Sequence, residues 1–298
     1  MSAPWSDFLA DITLMSQDAS RTYVILEGDE DRRYLELYFS KEHVRVKMAP
    51  GDAAKALVIR CVHRLNSLGR QNVIGVVDAD YDRILGCASA VENLFHTETH
   101  DLDLDTLLTG VLEKVFLEIM DATKAKAHLN EGTAPIHERF LENAINLAAE
   151  FGLPKLACVR AFKAENNSNL SGGVERFPPL RDYCKCKRRG GTTSIVKDYR
   201  RFVQDLQRIH SHIELEKEIE REKRQDHPRT QIARGHDVFF FLALLSDLVA
   251  RKTAQISPAS LESDVRLAFS NEYFRRMNLY KFLVDWENAR GRRMIEGT

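Results

Sequence analysis

Two short acidic clusters carry the residue types and spacing best suited to chemistry. Leu26-Glu27-Gly28-Asp29-Glu30-Asp31 puts Glu27 directly after the β-favouring run Tyr23-Val24-Ile25-Leu26. Val77-Asp78-Ala79-Asp80-Tyr81-Asp82 puts Asp78 and Asp80 directly after Val73-Ile74-Gly75-Val76-Val77. Magnesium takes hard oxygen ligands and keeps several waters. Carboxylates at the ends of parallel strands suit it, because the sheet holds their backbones while their side chains converge on one crevice. If the strand persists through Asp78 and Asp80, a two-residue step puts both on one face, within reach of one ion. Glu27 then completes the ligand set or acts as a general acid or base, and Asp82 is a further candidate ligand. The competing reading is structural, since polar loops put acids at strand ends in any α/β protein. What favours chemistry is the pairing of two clusters, each at the exit of a core strand, about fifty residues apart.

The elements that must position these residues read as β-α-β-α-β over the first hundred residues. A helical pattern from Arg32 to Ser40 follows the first strand. Val44 to Met48 alternates like a half-buried edge strand, and Asp52 is the expected N-cap of the next helix. That helix shows Ala54, Leu57, Val58, Cys61, Val62 and Leu65 on one face, and Gly69 closes it. Leu94-Phe95-His96-Thr97 reads as a fourth strand. This order predicts an α/β fold with a parallel sheet and helices on both faces. The functional edge of such a sheet lies at the carboxyl ends of its strands. A mostly α-helical C-terminal half follows, with Lys155 to Phe162 as one further strand. Ile195, Tyr199, Phe202, Leu206, Ile209 and Ile213 form a coiled-coil-like seam, predicting one long helix near 194–225. That seam suits an intramolecular hairpin and leaves a homodimer or docking on a partner open.

The chain of 298 residues is 44% hydrophobic and 29% charged, with a formal net charge of -1. That balance argues against a strong non-specific grip on DNA and leaves any phosphate contact to local patches. The clearest patch is Lys185, Lys187, Arg188 and Arg189, read as a loop within 183–191, beside which Tyr183 could stack on a base. The N-terminus has neither the charged nor the apolar region of a signal peptide. The most apolar run, Val238 to Leu245, is far short of the roughly 20 residues of a membrane span. The expectation is a cytoplasmic protein without membrane contact.

Leu26-Glu27-Gly28-Asp29-Glu30-Asp31 resembles the first signature of TOPRIM domains, and Val77-Asp78-Ala79-Asp80 resembles their Asp-x-Asp motif. The whole chain is similar to the DUF4435 proteins, which join a TOPRIM-like head to a helical remainder carrying a Gly-His-Asp element, here Gly235-His236-Asp237. That group includes the TOPRIM effector of the PARIS anti-phage defence system, which works with an ABC-type ATPase partner. The resemblance implies metal-assisted phosphodiester cleavage with Mg2+, or Mn2+ in its place. Glu27, Asp78 and Asp80 would be catalytic, and Asp82 and Asp103 further ligands. Asp103 stands in His100-Asp101-Leu102-Asp103, where relatives carry a glutamate, so its reach is shortened. Asp31, His100 and His236 would support the site from behind.

The expected organisation is a TOPRIM-like catalytic domain over 1–103 and a helical domain over 104–298. The function these readings imply is a toxic endonuclease held in check by an ATPase. RNA, tRNA included, is the favoured substrate, because one basic loop on a near-neutral chain suits a structured RNA. DNA cleavage of the OLD type is one alternative. A non-catalytic TOPRIM-like module that docks on the ATPase is another.

Overall fold

The run Thr-Tyr-Val-Ile-Leu forms β1 (Thr22–Leu26), and all five residues are buried. Such a run, apolar without alternation, belongs in a parallel sheet covered on both faces. The computed structural model describes residues 4–51, 53–121, 123–125, 133–166, 177–189, 192–251 and 256–296. In it β2 (Val44–Met48) and β3 (Val73–Val77) flank β1, and β4 (Leu94–His96) lies beyond β3. The order is β2-β1-β3-β4, parallel throughout. The α/β class and the four strands therefore follow the sequence pattern, with β2 the half-buried edge. Because β2 and β3 lie on opposite sides of β1, the winding reverses between β1 and β3, where an open α/β sheet forms its crevice.

Helix α1 (Pro4–Met15) precedes β1, and α2 (Asp29–Leu35) follows it. The helix expected from Arg32 to Ser40 starts earlier, at Asp29, and tightens into a separate turn at Glu36–Tyr38. Helix α3 (Ala54–Ser67) connects β2 to β3 and buries Leu57, Val58, Cys61, Val62 and Leu65. These pack with Ile12 of α1 and with Tyr23, Ile25, Val73 and Val77 of the sheet. Each large apolar side chain so buried contributes about 1.5–3 kcal/mol. The stripe fixes α3 against β1 and β3, and with it the direction of its first turn. Asp52 lies outside the described residues. A short helix, α4 (Asp82–Leu85), leads from β3 towards β4.

The chain divides into two compact units. One is built on residues 1–98 and 274–298, the other on most of 99–273. The second unit holds α5 (Leu102–Thr106), α6 (Leu112–Ile119), α7 (Ile136–Asn166), β5 (Cys184–Arg189), β6 (Thr192–Lys197), α8 (Tyr199–Ile209), α9 (Leu215–Lys223), α10 (Gly235–Val249) and α11 (Pro258–Ala268). Its core is aromatic: Phe151 meets Phe202 and Phe241 at ring-centroid distances of 5.0 and 5.8 Å.

Three expectations for this unit change. Lys155 to Phe162 is no strand but part of α7, where Leu156, Ala157, Cys158 and Val159 are all buried. Helix surrounded by apolar neighbours shows no amphipathic period, so a short apolar run reads equally as strand. The basic loop near 183–191 is β5, paired antiparallel with β6. The single long helix near 194–225 is broken: Ile195 lies in β6, and α8 and α9 are separate. Asp198 caps α8 by accepting from Arg201 N. Gln207 serves the break, donating through Nε2 to Ile213 O at 2.6 Å and accepting from Leu215 N at 3.0 Å.

The last helix, α12 (Asn278–Arg290), belongs to the first unit, where the sequence reading grouped all of 104–298. Trp286 Nε1 donates to Asn93 Oδ1 at 3.0 Å. Beyond α12, Phe39 and Ile295 form an antiparallel bridge, and Ser40 N donates to Met294 O at 2.7 Å. Among the described residues, no helix is long and apolar enough to cross a membrane.

Candidate functional site

β1 ends at Leu26, so Glu27 is the first residue past the strand and α2 opens two residues later. Gly28 bridges the two. A Cβ built on it would stand 3.1 Å from Asp31 Oδ2, so the glycine leaves room for that carboxylate against the main chain. On the neighbouring strand, Glu27 Oε1 accepts the backbone N–H of Asp78 at 2.7 Å. One hydrogen bond thus ties the ends of β1 and β3 together.

The segment after β3 differs from the expected strand extension. β3 stops at Val77, and Asp80 adopts φ +47°. Asp78 and Asp80 therefore do not share a strand face. Aspartate enters the left-handed region more readily than most residues, though at some cost in strain. Contacts through Thr97 help to hold this turn. Ala79 N donates to Thr97 Oγ1 at 2.7 Å, and Thr97 is fully buried just past β4. Arg83 in turn donates through Nε to Thr97 O at 3.0 Å.

Lys55, in the first turn of α3, was not among the residues singled out by sequence. Its Nζ lies 2.7 Å from Asp80 Oδ2 and 2.8 Å from Asp82 Oδ2, with Ala79 O at 3.4 Å. The side chain is only 12% exposed, and that of Asp82 only 7%. Burial alone would lower the lysine's pKa, but Asp80 and Asp82 outweigh it, and the ammonium is held charged. The opposite holds for Glu27. Burial pushes its carboxyl up to about 8, with Asp80 and Asp31 adding to the rise, while Lys55 and the Asp78 N–H oppose it. A cation in the first helical turn is disfavoured by the helix dipole, and that misfit is the signal that could have marked Lys55.

The chemistry of this donor set, carboxylate and carbonyl oxygens at the ends of two adjacent strands, fits a hard divalent cation. Its arrangement here has Lys55 as the cation. Among the described residues, no group of three or more His, Cys, Asp or Glu is disposed to hold a metal ion.

Glu27, Asp31, Asp78, Asp80 and Asp82 all fall in the first unit. Asp103, His100 and His236 fall in the second, each with neighbours of its own. Arg266 Nη2 pairs with Asp103 Oδ1 at 3.3 Å and with Glu262 Oε1 at 2.7 Å, so Asp103 faces a guanidinium. His100 is buried, with Nδ1 3.3 Å from Asp101 Oδ2. His236 is exposed, and Glu262, 3.9 Å from its Nδ1, raises its pKa.

Lys185 and Lys187 are exposed on β5, two residues apart and hence on one face. The side chains of Arg188 and Arg189 lie outside the described residues. Tyr183 does not present a ring for stacking. It is buried edge-on against Phe202, with its hydroxyl donating to Asp205 Oδ2 at 2.8 Å. No family model and no curated protein matches the chain.

Proposed function

We propose that the first unit is the catalytic part of a divalent-metal-dependent endonuclease of the TOPRIM type, that it cuts RNA, and that an ABC-type ATPase partner controls it in anti-phage defence. The observation that carries this reading is the joining of Glu27 to Asp78 across the carboxyl ends of β1 and β3, with Asp80 close enough to raise the Glu27 carboxyl. Acidic side chains at the switch point of an open parallel sheet stand where such folds do their chemistry. Asp78, Asp80 and Asp82 would hold the ion, with Glu27 either a further ligand or the proton donor. The chemistry that an ion supplies when bound there is neutralisation of the scissile phosphate and activation of a water nucleophile. As the proton donor, Glu27 would use a carboxyl that burial pushes up to about 8 to protonate the departing oxygen. On the second unit, Lys185 and Lys187 supply phosphate contacts.

The test is incubation of the purified protein with total tRNA and, separately, with plasmid DNA, each with Mg2+. Cleavage of tRNA is expected, and Glu27→Ala or Asp78→Ala should reduce it at least about a hundredfold while leaving circular dichroism unchanged. Both variants cutting at the wild-type rate would remove the site assignment. Plasmid cleavage alone would move the protein to the DNA-cutting class.

A second reading is favoured by the Lys55 ion pairs and by the lack, among the described residues, of a ready three-ligand cluster. In it the first unit is a non-catalytic module that docks on the ATPase. Calorimetry separates the two, because the docking module shows no heat of Mg2+ binding at millimolar concentration.

A further inference from the structure

We propose that Lys55 is the resident cation of the acidic pocket: its ammonium holds Asp80 and Asp82 until a divalent ion displaces it, and it thereby sets how tightly and how selectively the site takes metal. The inference rests on the metal site proposed above and adds a residue that the resemblance did not supply.

The placement of Lys55 argues for such a role. It is the second residue of α3, where the dipole repels a cation, and no acidic side chain shares that first turn. Helix stability therefore does not account for it. The pocket does. An ammonium has three protons to donate, and three oxygens stand within 3.4 Å of Nζ, two from carboxylates and one from a carbonyl. These are the oxygen types that a hard metal ion takes.

Desolvation makes the arrangement close to obligatory. Lys55 and Asp82 are nearly buried, and Asp80 is 28% exposed. Removing the ammonium would leave carboxylates facing one another with little water, which is strongly unfavourable. The pocket therefore favours a cation, and metal binding is an exchange. A monovalent ion brings no more charge than the ammonium and must also lose its own water, so it gains nothing by entering. A divalent ion loses more hydration still, but its doubled charge is attracted to both carboxylates at once and can win the exchange. The lysine's flexible four-carbon stem lets the head group swing out without moving α3, which its apolar stripe holds.

The test reads Lys55 directly in the wild-type protein. Amine-reactive footprinting is followed by mass spectrometry, with and without MnCl2, while Mn2+ binding is measured by calorimetry. Labelling of Lys55 should rise several-fold with Mn2+ and stay unchanged with added KCl, and Lys55→Met should bind Mn2+ at least about tenfold more tightly than wild type. Mn2+ binding to the wild type without a change in Lys55 labelling would overturn the inference and leave the metal site standing. Unaltered or weaker Mn2+ affinity in Lys55→Met would overturn it too. Should Lys55→Met fail to fold, the wild-type footprint decides alone. Failure of both proteins to bind Mn2+ would instead remove the metal site itself, and the inference with it.

Discussion

The backbone N–H of Gly235 donates to Asp101 Oδ2 at 2.7 Å, while Asp101 Oδ1 accepts from Leu104 N at 3.0 Å. One carboxylate thus caps α5 and anchors the start of α10. Burial by itself would raise the pKa of Asp101, but His100 and the two backbone donors outweigh it and hold the carboxyl low. The Gly-His-Asp element is explained in part by this contact, since a Cβ on residue 235 would stand 2.4 Å from Asp101 Oδ1 and 2.6 Å from Asp103 Cβ. Gly235→Ala should cost about 1–3 kcal/mol through overpacking. Urea unfolding would show it as a lower midpoint at unchanged slope, and an unaltered midpoint would mean that the two helices separate easily.

Glu27 should make stability depend on pH. Its folded-state carboxyl titrates near 8 against an ordinary 4.5, so between those values the folded protein binds more protons than the unfolded chain. The contribution of Glu27 to stability is then greatest below the ordinary value, falls as pH rises through about 8, and levels off above. Glu27→Gln should flatten that slope. The measurement is urea unfolding of the metal-free protein across the range, and matching slopes in both proteins would contradict the assignment.

Lys155 and Asp237 are both buried and meet at 2.5 Å. Burial lowers the lysine's pKa, and Asp237 works against that fall. Asp237→Ala strands a cation in the core and should cost about 3–5 kcal/mol. The double variant Lys155→Met, Asp237→Leu should regain most of it, because a well-packed apolar pair replaces a buried ion pair at little cost. Chemical denaturation of the three proteins forms the check, and a double variant no better than the single would point to Lys155 serving a further partner.

Thr97→Val removes the acceptor of the Ala79 amide while keeping the side chain's shape. A buried donor left without its partner costs about 1–3 kcal/mol. The expected signature is local: faster hydrogen exchange at Ala79 and neighbouring amides, with the α3 amides little changed. Exchange unaffected at Ala79 would show that the turn through Asp80 is held by other contacts.

The sheet and the two strand-end acids are legible because β1 and β3 are unbroken, largely apolar runs, each followed directly by a carboxylate. Period and composition carry that much. Lys55 is legible only as a cation misplaced in a first helical turn. Its partners are not legible, because a single charge on an amphipathic helix reads as solvated until the register of α3 against the turn at Ala79–Asp82 is known. Aspartate tolerates the φ of Asp80 without requiring it, so residue type alone does not mark where β3 ends. The spacing from Ile195 to Ile213 suits one helix, yet Asp198 and Gln207 spend their side chains on backbone groups and divide it. Local hydrogen bonding outweighed the apolar period there.

The bridge between Phe39 and Ile295 has a consequence for synthesis on the ribosome. The first unit needs residues 274–296, which emerge only after the whole intervening helical unit has been made. At ~5–20 residues per second, residues 99–273 take roughly ten to thirty-five seconds. Throughout that interval the first unit lacks its last partners, so a chain stopped before the end carries the acidic residues in a unit that is still unfinished. Translation order itself delays completion of the first unit.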